Sequence, residues 1–262
     1  MSELSALTLT AEQINSWVAL VMWPMFRIAG LLSILPVLGG GEVPVRVRAG
    51  LAFILTLVIV PSVGPMPEVD PLSMDGVLIT MQQILIGVAM GFMVVMAFNA
   101  VTMAGESIAV TMGLGFALMN DPQNGTQVPM LSQFYLVLAM LLFLSLDGHH
   151  AVLMLLSNSF VTMPVGTSLS SDGMWMLLRW ASTMFYGSLA IALPALAAML
   201  TVNIIMGIIT RAAPQLNIFS VGFPITMTVG FCAILLTLPT FQHAFTNLLE
   251  LVRIAIAELI TS

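Results

Sequence analysis

Apolar residues fill this chain in long runs, broken at intervals by short polar clusters. The longest run lies between Arg211 and Glu250 and holds no Asp, Glu, Lys or Arg. Runs of this kind mark membrane spans, because about 20 predominantly apolar residues are needed to cross a hydrocarbon core. Backbone amides in hydrocarbon must be bonded within their own segment, and the runs lack the two-residue alternation of a membrane barrel. The pattern therefore predicts an all-α polytopic membrane protein.

Six spans are expected. The first, Ile14 to Leu38, is interrupted by Pro24 and Arg27 and ends at the Gly39-Gly40-Gly41 and Pro44 turn. The second is Ala49 to Val63, followed by a loop of Pro65, Pro67, Glu68, Asp70, Pro71 and Asp75. The third runs from Val77 to Ala104, just before Glu106, and the fourth from Leu131 to Leu146. Ala151 to Val161 is too short to cross and reads as an interfacial or packed segment. The fifth, Met174 to Ile209, exceeds what a bilayer demands, so tilt or a kink at Pro194 is expected. The sixth is Ile218 to Leu238. Phe245 to Ile260 carries Glu250, Arg253 and Glu258 among apolar residues at helical spacing and reads as an amphipathic helix.

Composition strengthens this picture. Charged residues make up 7% of the 262, against about 25% in soluble domains. All six cationic side chains are Arg, and the net charge is −6, which excludes a nucleic-acid-binding surface. Arg46 and Arg48 follow the first span and Arg211 the fifth, so both connections lie on one side of the membrane. The positive-inside rule makes that side cytoplasmic and places the N-terminus outside. The absence of a basic stretch at the N-terminus argues against a cleaved signal peptide.

Candidate chemistry is sparse. There is no Lys, hence no phosphate loop, and nothing in the sequence implies catalysis or a cofactor. His149 and His150 adjoin Asp147, but neighbouring histidines diverge on a helix, so a polar helix end is the expected reading rather than a metal site. Cys232, alone in an apolar run, reads as a small buried hydrophobe. Arg27 lies well inside a span, where a charge is costly; it must be paired, contact another subunit, or snorkel to the interface. Glu106 either lines a polar cavity or caps the third span.

Two segments stand apart. Met112-Gly113-Leu114-Gly115-Phe116-Ala117-Leu118-Met119-Asn120-Asp121-Pro122 is apolar yet glycine-rich and closes on a turn signal. It is a poor helix and a good deformable loop; soft Met beside Gly makes a seal that yields and re-forms, and the alternative is an ordinary connection. Arg211 to Pro224, with Pro214, Gln215, Asn217 and Phe219, is the elbow of a helical hairpin, either a plain turn or a docking surface.

At this elbow the chain resembles the FliR family of flagellar export-gate proteins, whose injectisome relatives are the SctT proteins. The residues that carry the likeness are Arg211, Pro214, Gln215, Asn217, Phe219, Gly222 and Pro224. Arg27-Ile-Ala-Gly30 through Val43-Pro44-Val45-Arg46-Val47-Arg48 agrees too, as does Gly105-Glu106-Ser107 followed by Met112 to Ala117 and Asp121-Pro122. The resemblance implies a non-enzymatic pore subunit of kinked long helices and helical hairpins. A FliP-like part, residues 1–170, would precede a FliQ-like hairpin with its amphipathic helix, residues 171–262. Implied partners are FliP, FliQ, FlhB and FlhA-type proteins, unfolded export substrates and membrane lipid, at the flagellar basal body in the bacterial inner membrane. The family's plug loop maps within residues 110–125, with Gly113 and Gly115 lending freedom and Asp121-Pro122 anchoring one end. Partner contacts are expected at Arg27, Arg46, Arg48, Glu106 and the elbow residues. The competing class is a secondary transporter of a small solute, but no paired halves are evident.

Overall fold

The computed structural model describes residues 11–39, 43–114, 130–213 and 218–261. Among these, seven α-helices account for nearly all the ordered backbone: α1 (Ala11–Ile34), α2 (Val45–Ile59), α3 (Met74–Thr111), α4 (Met130–Ser145), α5 (Gly148–Thr162), α6 (Ser171–Ala212) and α7 (Ile218–Leu259). A short 3₁₀ turn, Val60–Ser62, extends α2, and no strand occurs among the described residues. Among the described residues five helices are long and apolar enough to cross a membrane, and six spans result if α4 and α5 together make one.

Several elements differ from the sequence reading for identifiable reasons. The third span does not stop before Glu106; α3 carries that residue on an exposed face and continues to Thr111. The segment 151–161 is the body of α5, and it begins directly after a left-handed Asp147 (φ 54) that ends the preceding turn. Pro194 lies inside a continuous α6, and Pro24 inside a continuous α1. The expected sixth span and C-terminal amphipathic segment are one helix of 42 residues, α7, that runs through Pro224 and Pro239. An interior proline removes one helical hydrogen bond, so a break is the local expectation at Pro239. Burial on both sides of it, at Ala233 and Ile234 before and at Phe241, Phe245 and Leu248 after, outweighs that loss. The amphipathic pattern itself is present: Val252, Ala255, Ile256 and Leu259 are buried, while Glu250, Arg253 and Glu258 are exposed. Its apolar stripe packs on protein.

The chain forms two compact units interleaved along the sequence: Met1–Val95 with His149–Arg179 and Val252–Ser262, and Met96–Gly148 with Trp180–Leu251. α3 contributes core residues to each. In the first unit these are Ile86, Met90, Met93 and Val94; in the second they are Phe98, Val101, Ala104, Ile108 and Met112. A helix apolar on every face is one surrounded by protein or lipid, and here 61% of α3's apolar window is covered by the chain itself, against 22% for that of α7. The second unit is knitted by aromatic rings: Phe98 meets Phe143 at 5.5 Å and Phe245 at 5.6 Å between centroids, both edge-to-face, and Tyr135 meets Phe241 at 5.2 Å.

In the first unit, α1 and α3 cross with their backbones in contact. A Cβ on Gly87 would strike the Arg27 carbonyl oxygen and come within 2.9 Å of the Leu31 amide nitrogen; one on Gly30 would come within 2.7 Å of the Ile84 carbonyl oxygen. Gly87 and Gly91 are four apart, the small-xxx-small spacing that lets membrane helices approach closely. Gly87→Ala is expected to force α1 from α3 and destabilise the chain by ~2–3 kcal/mol, the upper range for an overpacked core. A lowered thermal midpoint of the purified protein checks this; an unchanged midpoint would refute the close crossing.

Candidate functional site

α3 hands the chain to the Gly/Met stretch through a well-defined stop. The Leu114 amide donates to the Ala109 carbonyl at 3.0 Å, and the Gly113 amide to the Val110 carbonyl at 3.0 Å. Gly113 is left-handed, with φ 82. These two bonds around a left-handed glycine are the Schellman ending of a helix, a conformation that side-chain-bearing residues adopt only with strain. Gly113 therefore terminates α3, using the left-handed backbone that glycine adopts without strain. Met112 is fully buried. Its carbonyl accepts a long hydrogen bond from the Thr226 hydroxyl (3.4 Å), and the Thr111 carbonyl accepts one from Asn203 Nδ2 (3.4 Å). The rest of the expected seal, Gly115 to Pro122, lies outside the described residues.

Arg27 is the second feature. It is 0% exposed, within the first unit, and its guanidinium ties its own helix, α1, to α3 and to the end of α5. Nε donates to Gln83 Oε1 of α3 at 2.8 Å. Nη1 donates to the Ser159 carbonyl at 2.8 Å and to Ser159 Oγ at 3.1 Å; Nη2 donates to the Met163 carbonyl at 2.9 Å. The cation also sits 4.3 Å from the centre of the Phe160 ring. All four hydrogen bonds go to neutral acceptors, two of them carbonyls at the C-terminal end of α5. A helix C-terminus carries partial negative charge, so a cation is stabilised there. Of the readings open at Arg27, pairing inside the chain is what the geometry shows; the side chain has no exposed surface left for a second subunit.

The family model for bacterial export proteins, family 1, matches residues 18–252. The chain belongs to this family. It is 40% identical over 258 residues to the flagellar biosynthetic protein FliR of Escherichia coli (strain K12), covering 97% of this chain and 98% of that one. It is 38% identical over 261 residues to the FliR of Pectobacterium carotovorum subsp. carotovorum, covering 98% and 100%. The FliR of Buchnera aphidicola subsp. Acyrthosiphon pisum (strain APS) is 29% identical over 249 residues, covering 93% and 95%. This export protein is a component of the flagellar export apparatus.

The remaining sequence-derived residues of this export protein fall in different places. Arg46 is exposed in the first turn of α2. Arg48 turns back and donates from Nη1 to the Gly39 carbonyl at 3.2 Å, with a longer contact of 3.4 Å to the Ser33 carbonyl, and so closes the turn after α1. Glu106, Arg211 and Pro224 are exposed. Pro214, Gln215 and Asn217 lie outside the described residues, as does the side chain of Phe219. The His149 and His150 rings meet at 4.2 Å between centroids, so the expected divergence of adjacent histidines does not hold at this helix start. Cys232 is exposed on α7; an apolar run does not reveal which of its faces turns to the core. Sequence reasoning passed over Gln83, Ser159 and Gly87. The Gly87-to-Gly91 spacing inside an apolar run was a usable signal for the last of these, whereas the carbonyl cradle around Arg27 had none.

Proposed function

We propose that this chain is a core subunit of the flagellar protein export gate, forming with FliP and FliQ a gated pore for unfolded export substrates. The observation that carries the reading is similarity along almost the full length of flagellar relatives, 97% of this chain and 98% of the Escherichia coli protein. The role is structural and non-enzymatic. Residues 1–170 form a FliP-like part and residues 171–262 a FliQ-like hairpin, in the bacterial inner membrane at the basal body. The Arg46, Arg48 and Arg211 connections face the cytoplasm, where Arg211 and the elbow from Pro214 to Pro224 meet FlhB, with FlhA-type protein beneath.

Within the gate, residues 112–122 act as an apolar stopper. An apolar constriction excludes water and ions by dewetting, and displacement of the stopper by substrate opens the path. The Schellman ending of α3 supports this assignment, since it delivers the chain at a set point into the Gly/Met stretch. Exposed apolar residues support the need for partners. Trp175, Leu178, Phe185, Tyr186 and Leu189 on α6, and Leu235 and Leu236 on α7, are each more than half exposed. Lipid covers some such surface, and unlike subunits cover the rest. Purification in mild detergent tests the proposal: the chain should co-purify with FliP and FliQ in an assembly of defined mass. A stable protein, alone or as a symmetric oligomer, that moves a small solute would contradict it.

A further inference from the structure

Gly230 of α7 lies where a side chain has no room. A Cβ built there would stand 2.5 Å from Met112 Cε, 2.6 Å from Cγ and 2.8 Å from Sδ. Gly230 is itself buried. The missing side chain leaves a notch, and the fully buried Met112 fills it. One helical turn earlier on the same helix, the Thr226 hydroxyl shares its proton between the Phe223 carbonyl of its own helix at 3.0 Å and the Met112 carbonyl at 3.4 Å. Residues four apart share one face of a helix. Thus α7 engages both the side chain and the backbone of a single residue, the last before the left-handed Gly113. All of this lies within the second unit.

We propose that Thr226 and Gly230 form the seat that positions the stopper: α7 sets where the apolar segment begins, and lifting Met112 off this face unseats it. The inference rests on the stopper reading above and adds positioning residues that are far from the segment in sequence. Tight interiors feel a change of one methylene, so three extra carbons at position 230 must displace Met112. The seat also predicts a specific rescue. Gly230→Val adds three heavy atoms and Met112→Ala removes three, so the pair conserves volume in the notch.

The test compares four versions of the whole chain in its native assembly: Gly230→Val, Met112→Ala, the double variant, and a deletion of Gly115 to Met119. Small-ion leak across the membrane and co-purification of the partners are read for each. The deletion is expected to leak; each single variant should leak severalfold above wild type with partners retained, and the double variant should return close to wild type. Should Gly230→Val fail to assemble, Gly230→Ala, whose single added carbon already stands 2.5 Å from Met112 Cε, takes its place. Tight single variants beside a leaky deletion would overturn the seat and leave the stopper standing. A double variant as leaky as the sum of its parts would also overturn the seat. A tight deletion would overturn the stopper reading and the seat with it.

Discussion

Arg27→Leu should remove the chain from the membrane, or leave it in a form that no longer assembles, and motility should be lost. The substitution keeps α1 apolar, so hydropathy alone would call it harmless or favourable. The bonds around the guanidinium say otherwise. Without it, Gln83 Oε1 and the Met163 carbonyl lose the donors that reach them at 2.8 and 2.9 Å in a buried setting. The Ser159 carbonyl keeps the Met163 amide at 2.9 Å and suffers less. Each orphaned buried acceptor costs about 1–3 kcal/mol, which puts the loss at about 2–6 kcal/mol for two, reduced by whatever the buried charge itself cost. That approaches the whole stability of many domains. Arg27→Lys is expected to recover only part of it, because a compact ammonium on a flexible stem cannot serve Gln83, Ser159 and Met163 together. Protein level in isolated membranes and the thermal midpoint of the purified assembly check both variants. Wild-type behaviour of Arg27→Leu would mean that the cradle does not hold α1, α3 and α5 together.

The second large effect is expected from removing the stopper itself. Deleting Gly115 to Met119 leaves Met112, Gly113 and Leu114, and therefore the two capping bonds that end α3, in place. The helices that make the rest of the chain are untouched, so assembly should persist. On the proposed function, what changes is the apolar filling of the path. Cells carrying the deletion should become sensitive to small ions and lose the ability to hold a membrane gradient, while FliP and FliQ still co-purify. A deletion that begins at Gly113 would confuse the result, since it would also strip α3 of its terminator. A single substitution Gly113→Val would disturb the ending of α3 without shortening the segment, because a β-branched residue is strained at φ 82.

The class of fold was legible from the chain because it rests on bulk quantities. Charge-free runs demand helices in hydrocarbon whatever their neighbours do, and α1, α3 and α6 lie where those runs are. Boundaries were less legible. Pro239 is a breaker by local rules, yet Phe241, Phe245 and Leu248 are buried on one side of it and α7 continues through it. Glu106 read as lining a polar cavity or capping a span, and it is an exposed residue within α3. The site divides in the same way. Met112 and Gly113 were visible as a composition change, because Gly and Met are informative without partners. The notch that receives Met112 was not, since Gly230 sits 118 positions away in an unremarkable apolar run. Arg27 declared itself as a charge in oil, but its partners are a glutamine, a serine and main-chain carbonyls, none of which carries a sequence signal for pairing with arginine.

On the proposed function, this chain supplies the stopper of a pore built jointly with unlike subunits. The most direct measurement is single-channel conductance of the purified assembly in planar bilayers, with the intact chain and with Gly115 to Met119 removed. Silent membranes are expected for the intact assembly and steady ion-conducting steps for the shortened one at equal subunit content. Equal silence from both, or equal conductance from both, would contradict it.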